Sequence, residues 1–369
     1  MVEKISFMFD KLFSIFSHDI GIDLGTANTL VFVKDKGIVS REPSVVAIHK
    51  KTKKVIAVGD EAKKMIGKTP ASIITVRPLR GGVISDFDST LAMISYYIQK
   101  VHEVGSSFPL AFSKPRVVVG IPSSVTEVER RAVWEAALAA GARQAYLIEE
   151  PMAAAVGENI SVFAPTGVMV VDIGGGTTEI AVISLGGIVV SKSLRLAGDD
   201  MDNAIVHYIR LRHGLLIGDT TAEDLKIRIG SAYTKTPVVH RPTGKDKEEG
   251  EKAAIIRGRD IETGLPKSLR ITEAEVREAL AAILTQIIDA IAQVLEDAPP
   301  ELTSDILEHG VLLTGGGSLL KGFDHLIVER IHIPVIRSED PLTSVARGAG
   351  KVLEDETLLQ RVKVIGGLK

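Results

Sequence analysis

The sequence predicts an α/β protein made of two related halves that face each other. Two observations lead to this fold class. A segment with the order strand, glycine turn, strand occurs twice, and its copies carry Asp23 and Asp172, about one domain length apart. The chain has 369 residues, 45% of them hydrophobic and 25% charged, so it can build more than one sizeable core.

The first copy reads IGIDLGTANTLVFVKDKGIVS and the second reads VVDIGGGTTEIAVISLGGIVV. Each has β-branched runs on both sides of a glycine-containing turn, which is the pattern of a β-hairpin. The aligned pairs are Asp23 with Asp172, Gly25 with Gly174, Asn28 with Thr177, Thr29 with Thr178, and Gly37 with Gly186. The matched spacing indicates a repeated unit.

The two turns have the chemistry of a phosphate clamp. Glycine lets another group approach the backbone, and the backbone N–H groups carry partial positive charge. The carboxylates of Asp23 and Asp172 would repel a phosphate, so we expect a divalent cation or its water shell between them and the ligand. The alternative interpretation is two ordinary β-hairpins, which the repetition makes less attractive.

A third glycine run, GVLLTGGGSLLKGF, joins a strand-like segment to a helix-like one. Such a junction is a common place for a nucleotide to approach the backbone. It suits the nucleoside end of the ligand that the two turns would clamp.

Composition excludes several classes of protein. A formal net charge of −3 argues against a nucleic-acid partner, and the absence of cysteine excludes disulfides and zinc–thiolate sites. The nine histidines show no metal-ligand spacing. No apolar run reaches the roughly 18 residues that span a bilayer, and the N-terminus does not resemble a signal peptide. We therefore expect a cytoplasmic protein.

Together these motifs resemble those of the actin/Hsp70/hexokinase ATPase superfamily. DLGTANT is similar to its first phosphate motif, DIGGGTTE to its second and LTGGGSLLKG to its adenosine motif, whereas EEPMAAA and PLTSVARGAGKVL are similar to its connecting helices. Longer phrases such as EPSVVAI, IEEPMAAA and DIETGLP resemble the MreB family of bacterial actins. The resemblance covers about Asp19 to Leu359.

The resemblance implies an actin-like ATPase fold, with a nucleotide cleft between the halves and a smaller subdomain inserted in each. The expected segments are 18–40, 82–162 and 340–369 for subdomain IA, 41–81 for IB, 163–200 and 273–339 for IIA, and 201–272 for IIB. Residues 1–17 would form a separate amphipathic helix.

It also implies hydrolysis of ATP, or of GTP, coupled to filament assembly. Glu150 would orient or deprotonate the attacking water, helped by the hydroxyl of Thr177, and Asp23 and Asp172 would hold Mg²⁺ through its water shell. The expected contacts with ATP or ADP are Thr26, Ala27, Asn28, Gly174, Gly175, Gly176, Thr178, Glu223, Lys226, Gly315, Gly316, Gly317 and Ser318.

Some of these residues have simpler interpretations. Glu149, Glu150 and Pro151 are also typical of a helix N-terminus, where acidic side chains and proline are favourable. Glu223 and Lys226 have the spacing of a surface i,i+3 ion pair.

Two features depart from the wider family pattern. Actin has a phosphate-binding lysine seven residues after its first aspartate, and here that position is Leu30, so backbone groups and hydroxyls must do more of the binding. The segment from Thr234 to Ile255 is longer than usual, and its charge predicts a solvated loop.

The expected partners are other copies of the chain, the membrane, and membrane-spanning proteins of cell shape and wall synthesis. Ile5, Met8, Phe9, Leu12 and Phe16 share one helical face, which predicts attachment to the inner face of the cytoplasmic membrane, although this face could instead pack internally. The apolar loop from Ser106 to Phe112 is a second candidate anchor, and Val128 is the predicted lateral contact of paired protofilaments.

Two other functions of the same superfamily are alternatives. An Hsp70-like chaperone needs a peptide-binding domain after the ATPase, and little sequence follows Leu353. A sugar or acid kinase needs a catalytic aspartate and an acceptor pocket, and no motif supplies them. Filament formation with ATP distinguishes the cytoskeletal function from both.

Overall fold

The computed structural model describes residues 18–103, 114–233 and 252–364. The predicted N-terminal helix, the loop from Ser106 to Phe112 and most of the segment from Thr234 to Ile255 lie outside the described residues. The described chain folds into two five-stranded sheets with helices packed against them, so the predicted α/β class is confirmed.

The strands are β1 Ile20–Leu24, β2 Asn28–Val33, β3 Gly37–Pro43, β4 Val46–His49, β5 Val55–Val58, β6 Ile73–Val76, β7 Leu79–Arg80, β8 Val83–Ile84, β9 Arg116–Ile121, β10 Gln144–Glu149, β11 Val168–Ile173, β12 Thr178–Ser184, β13 Gly187–Leu194, β14 Leu215–Leu216, β15 Ala253–Asp260, β16 Pro266–Thr272, β17 Val311–Thr314 and β18 Val335–Arg337. The helices are α1 Asp60–Met65, α2 Phe87–Glu103, α3 Glu127–Ala139, α4 Glu150–Gly157, α5 Gly198–His213, α6 Asp219–Ile229, α7 Glu273–Asp297, α8 Pro300–His309, α9 Phe323–Ile331, α10 Ser344–Glu354 and α11 Glu356–Val362.

The two large sheets have the same topology. The first has the order β10-β9-β1-β2-β3 and the second has the order β18-β17-β11-β12-β13. In both, three antiparallel strands joined by hairpins are extended by two parallel strands. The repeat seen in the sequence is therefore a repeat of the whole sheet, and the fold consists of two related halves.

Helices α4 and α10 pack against each other at very close range. A Cβ on Gly348 would lie 1.8 Å from the Ala153 carbonyl oxygen, and one on Gly157 would lie 2.0 Å from the Ser344 carbonyl oxygen. Only glycine fits at these two positions, because any side chain atom would overlap the facing backbone. The close contact sets the spacing between α4 and α10.

Two small three-stranded sheets stand apart from the large ones. Strands β4, β5 and β6 form one sheet, with α1 beside it, and β14, β15 and β16 form the other. They fall inside the segments 41–81 and 201–272 that the resemblance implies as insertions. The boundaries of the four subdomains stay a prediction.

Helix α7 is the one described helix that is long and apolar enough to cross a membrane. It buries nine side chains in the core of the second half, among them Leu280, Leu284 and Ile291. A helix packed in this way belongs to the protein core.

Candidate functional site

The two glycine turns touch each other in the fold. A Cβ on Gly175 would lie 2.4 Å from the Cβ of Ala27, and one on Gly176 would lie 2.6 Å from the Thr26 hydroxyl oxygen. Both distances are shorter than any real Cβ contact, so the glycines let the turn after β11 approach the turn after β1. Segments almost one domain apart in sequence thus form one wall.

Each turn is held by hydrogen bonds of its own. The Ser44 hydroxyl donates to the Gly25 carbonyl at 2.6 Å, and the Gly82 N–H donates to the Thr26 hydroxyl at 3.0 Å. In the second turn the Gly174 N–H donates to the Thr177 carbonyl at 2.8 Å. These bonds fix the backbone of both turns before any ligand binds.

The turns line a cavity of about 610 Å³ between the two halves. This volume lies in the range of cavities that hold a small molecule or cofactor. Every residue predicted for the site lines the cavity except Gly176, Thr178 and Ser318. The structure therefore brings together segments that the sequence could relate only through motifs.

The three exceptions support the turns from behind. The Thr178 hydroxyl donates to the Leu196 carbonyl at 2.7 Å, and the Ser318 hydroxyl donates to the Gly315 carbonyl at 2.6 Å. Gly176 packs on Thr26, as described above. The hydroxyl groups of Thr178 and Ser318 are thus used within the protein in this structure.

Carboxylates gather at one end of the cavity. Burial raises the pKa of Asp23 to about 7. Burial, with the neighbouring Asp23 and Glu179, raises the pKa of Asp172 to about 8. Burial and Glu179 also raise the pKa of Glu150 well above its usual value. Such a concentration of acid favours a cation nearby.

The residues fit a hydrated magnesium ion better than a directly coordinated metal. Within the described residues there is no group of three or more histidine, cysteine or acidic side chains placed to hold a metal by themselves. Mg²⁺ keeps several of its waters and binds one or two carboxylates together with substrate phosphates. Asp23 and Asp172, beside the two glycine turns, would supply that donor set.

Glu150 is the first residue of α4, directly before Pro151, and its side chain is buried. Glu149 precedes the helix in an extended conformation and makes no capping hydrogen bond. Thr177 lies beside Gly82, because a Cβ on that glycine would be 2.9 Å from the Thr177 methyl group. Both interpretations of Glu150 therefore hold in geometry: it starts a helix, and it lines the cavity.

The spacing of Glu223 and Lys226 allowed an ion pair between them, but in the structure each pairs with another residue. The Lys63 ammonium lies 2.9 Å from the Glu223 carboxylate and joins α1 of the first half to α6 of the second. Lys226 lies 2.8 Å from the carboxylate of Asp202 and donates to the Gly198 carbonyl at 2.7 Å. Each side chain is thus held by a residue distant in sequence.

Gly315 connects the third glycine run to the clamp. Its φ is +80°, and a Cβ there would lie 2.2 Å from a carboxylate oxygen of Asp172. Glycine is needed for both the backbone conformation and the contact. The third glycine run and the acid cluster are therefore adjacent.

Sequence reasoning missed Glu179, although it belongs to the quoted motif DIGGGTTE. This residue pairs with Asp172 in the register of β11 and β12 and is fully buried. Its carboxylate accepts hydrogen bonds from the Ser123 N–H at 3.1 Å and the Ser193 hydroxyl at 2.5 Å. It therefore links the two halves directly behind the site.

The model of the MreB/Mbl protein family matches residues 17–361. The cell shape-determining protein Mbl of Bacillus subtilis is 47% identical over 95% of this chain and 100% of its own length. The cell shape-determining protein MreB of Escherichia coli is 50% identical over 94% of this chain and 96% of its own.

Crystal structures of MreB5 of Spiroplasma citri share the fold. The complex with ADP has a TM-score of 0.83 at 36% identity and covers 93% of this chain and 98% of that one. The complex with AMPPNP has a TM-score of 0.81, also at 36% identity, and covers 94% of this chain and 98% of that one. The actin-like fold implied by the sequence motifs is confirmed.

Proposed function

The chain belongs to the MreB/Mbl family, and we propose that it is a cytoskeletal ATPase whose filaments direct cell-wall synthesis and rod shape. The observation that carries this proposal is the contact between the two glycine turns beside the paired carboxylates of Asp23 and Asp172. That arrangement suits a nucleotide phosphate chain with a hydrated divalent cation. The names of the relatives, both cell shape-determining proteins, support the cellular function.

The ligand is a nucleoside triphosphate and its diphosphate product. The complexes of MreB5 with ADP and AMPPNP support this choice, since both ligands bind a protein of the same fold. The phosphates would lie against the two turns, with Thr26, Ala27, Asn28, Gly174 and Gly175 offering backbone and hydroxyl groups. The nucleoside would lie toward Glu223, Lys226 and Gly315.

Hydrolysis needs an oriented water and an acceptor for its proton. Glu150 and Thr177 both line the cavity near the acid cluster, so Glu150 would accept the water proton and the Thr177 hydroxyl would orient the water. Burial raises the pKa of Glu150, and a divalent cation beside the acid cluster would favour the ionised form that accepts the proton. Bound Mg²⁺ would offset the phosphate charge.

Assembly follows the family: copies of the chain would polymerise with ATP into paired protofilaments. The filament would lie in the cytoplasm at the inner face of the membrane, where membrane-spanning cell-shape and wall-synthesis proteins would bind it. The support for attachment is the apolar stripe of residues 1–17 in the sequence. One such helix binds a bilayer weakly, and a filament presents many at once.

The decisive experiment is sedimentation of the purified chain with Mg²⁺ and ATP, GTP, ADP or no nucleotide, with phosphate release measured in parallel. We expect a pellet of filaments with triphosphate, visible by negative-stain electron microscopy, and phosphate release that follows assembly. ATP turnover without a pellet would favour a chaperone-like or kinase-like ATPase. No nucleotide binding at all would refute the proposal.

Membrane attachment is tested by liposome co-sedimentation of the intact chain and a variant lacking residues 2–16. We expect the truncated chain to keep ATP turnover and filaments but to lose binding to vesicles. Leu12→Glu should act in the same direction because it places a charge in the centre of the stripe. Unchanged binding by the truncated chain would make the loop from Ser106 to Phe112 the better candidate for the membrane anchor.

A further inference from the structure

Arg41 lies on the same cross-strand row as a residue of the acid cluster. In the first sheet Asp23 on β1 pairs with Leu30 on β2, and Leu30 pairs with Arg41 on β3. Residues paired in register point to the same face of a sheet. The three side chains therefore project on one face, in the order Asp23, Leu30, Arg41.

The pattern of burial along β3 agrees with this orientation. Ser40 and Glu42 are buried, whereas Arg41 between them is exposed and lines the cavity. Glu42 pairs with Lys100 of α2, which lies on the other face of the sheet. Arg41 therefore projects away from the α2 side and toward the cleft.

The distance along this row is within the reach of an arginine side chain that extends over its neighbour. Adjacent strands lie about 4.8 Å apart, so the Cα of Arg41 is roughly 10 Å from that of Asp23. Leu30 between them lines the cavity and carries no charge. The side chain between Arg41 and the carboxylate of Asp23 is therefore apolar and offers the guanidinium no hydrogen-bond partner.

Charge balance singles out Arg41 among the cations of the cavity. Three of the others are engaged within the protein: Lys226 pairs with Asp202, Arg228 with Asp224 and Lys321 with Glu273. Arg41 has no ion pair or side-chain hydrogen bond among the described residues. Lys252 also lines the cavity, but it directly follows the segment 234–251, outside the described residues.

The position of Arg41 relative to the ligand follows from the row. It stands on the side of Asp23 and of the first turn, whereas the nucleoside residues Glu223, Lys226 and Gly315 belong to the second half. An anion held between the turns would thus present its terminal phosphate, and not its sugar, toward Arg41. A guanidinium binds phosphate oxygens through paired N–H groups.

We propose that Arg41 binds the terminal phosphate of the triphosphate and so distinguishes it from the diphosphate. The inference rests on the proposed function, since it assigns a further contact to the same nucleotide. Leu30 on β2 carries no charge, and Arg41 on the neighbouring strand β3 would supply the positive charge on this face of the sheet.

The test compares the affinities of wild type, Arg41→Ala and Arg41→Lys for ATP and for ADP, with Mg²⁺, at protein concentrations below the assembly threshold. We expect Arg41→Ala to weaken ATP binding roughly tenfold or more and ADP binding less than about twofold, since one charge-assisted contact is lost with ATP alone. Arg41→Lys should fall between the two.

Arg212→Ala is the matched control, because Arg212 is an exposed arginine on α5 that does not line the cavity. It should leave both affinities unchanged. Circular dichroism confirms folding, and Arg41→Lys keeps the comparison readable if the alanine variant is unstable.

An equal loss for ATP and ADP, or no loss for either, in a folded Arg41→Ala protein would overturn the assignment while leaving the proposed function intact. Failure of the wild type to bind either nucleotide would refute both, and the sedimentation experiment separates that outcome from the first.

Discussion

The two halves of the molecule share one topology but use it for different purposes. The turn of the first half, Gly25 to Asn28, contributes side chains and is held by Ser44 and Gly82. The turn of the second half replaces the matching side chains with Gly175 and Gly176, whose missing Cβ atoms make room for the first turn. The asymmetry allows two copies of one hairpin to face each other without overlap.

The helices that follow the last parallel strand of each sheet show the same divergence. After β10, helix α4 begins at Glu150, which lines the cavity. After β18, helix α10 begins at Ser344, whose hydroxyl is buried among Thr314, Ser338 and Glu158. The duplicated framework thus places a carboxylate that lines the cavity at one helix start and a structural hydrogen-bond network at the other.

Removal of the Glu150 carboxylate should have the largest effect of the changes considered. We expect Glu150→Ala to slow ATP hydrolysis by about 10²-fold or more, since a general base contributes roughly that factor. Nucleotide binding should change little, and filaments should persist longer. Glu149→Ala is the control, because the neighbouring Glu149 does not line the cavity. Normal phosphate release by Glu150→Ala would remove Glu150 from the mechanism.

Each half also carries an exposed valine on its surface. Val128 at the start of α3 in the first half is 79% exposed, and Val189 on β13 in the second half is 46% exposed. If Val128 forms the lateral contact, Val128→Glu would bury an unpaired carboxylate between the protofilaments. Burial of an unpaired polar group costs about 2–7 kcal/mol, and burial of a charge costs more. Electron microscopy should then show single filaments, whereas Val189→Glu should leave the pairs intact. Paired filaments of Val128→Glu would exclude α3.

The contact between the turns can be broken by one methyl group. Gly175→Ala would place its Cβ 2.4 Å from that of Ala27, a rigid neighbour, and should cost about 1–3 kcal/mol of stability together with weaker nucleotide binding. Gly174→Ala is the milder control, since its nearest neighbour would be 3.2 Å away. Thermal unfolding with and without ATP measures both effects.

The double variant Ala27→Gly with Gly175→Ala sharpens this test. It removes the Ala27 Cβ and moves the methyl group from one turn to the other, so we expect part of the lost stability to return. If the double variant is no more stable than Gly175→Ala alone, the clash with Ala27 is not the cause.

The remaining expected effect depends on pH. Burial raises the pKa of Asp202 from its usual 3.8 to about 6, against the opposing effect of Lys226. A raised pKa stabilises the fold below about pH 4, and that stabilisation is lost as the pH rises through 6. We expect the free energy of unfolding of Asp202→Asn to rise by about 1–3 kcal/mol relative to that of wild type as the pH increases from 4 to 7. Denaturant titrations measure this trend, and the prediction fails if the stability of Asp202→Asn minus that of wild type stays constant or falls as the pH rises.

Sequence by itself determined the features that depend on local chemistry. The strand pattern around DLGTANT and DIGGGTTE, with aspartates and glycines at matched spacing, was sufficient to predict two halves, a clamp and an acidic end. Hairpin turns have local rules, because a backbone that must bend or be approached requires glycine wherever it occurs. Asp23 and Asp172 precede these turns and line the cavity, whereas Glu150 and Thr177, which also line it, were assigned through the family resemblance.

Only the tertiary structure decided which distant groups meet. Lys63 pairs with Glu223, and Lys226 with Asp202, although sequence spacing allowed Glu223 and Lys226 to pair with each other. Glu179 joins Ser123, and Arg41 reaches the cleft through the register of three strands. Such contacts depend on how sheets and helices pack. The packing of the whole chain sets these distances to within tenths of an ångström. No local pattern in the sequence carries that information.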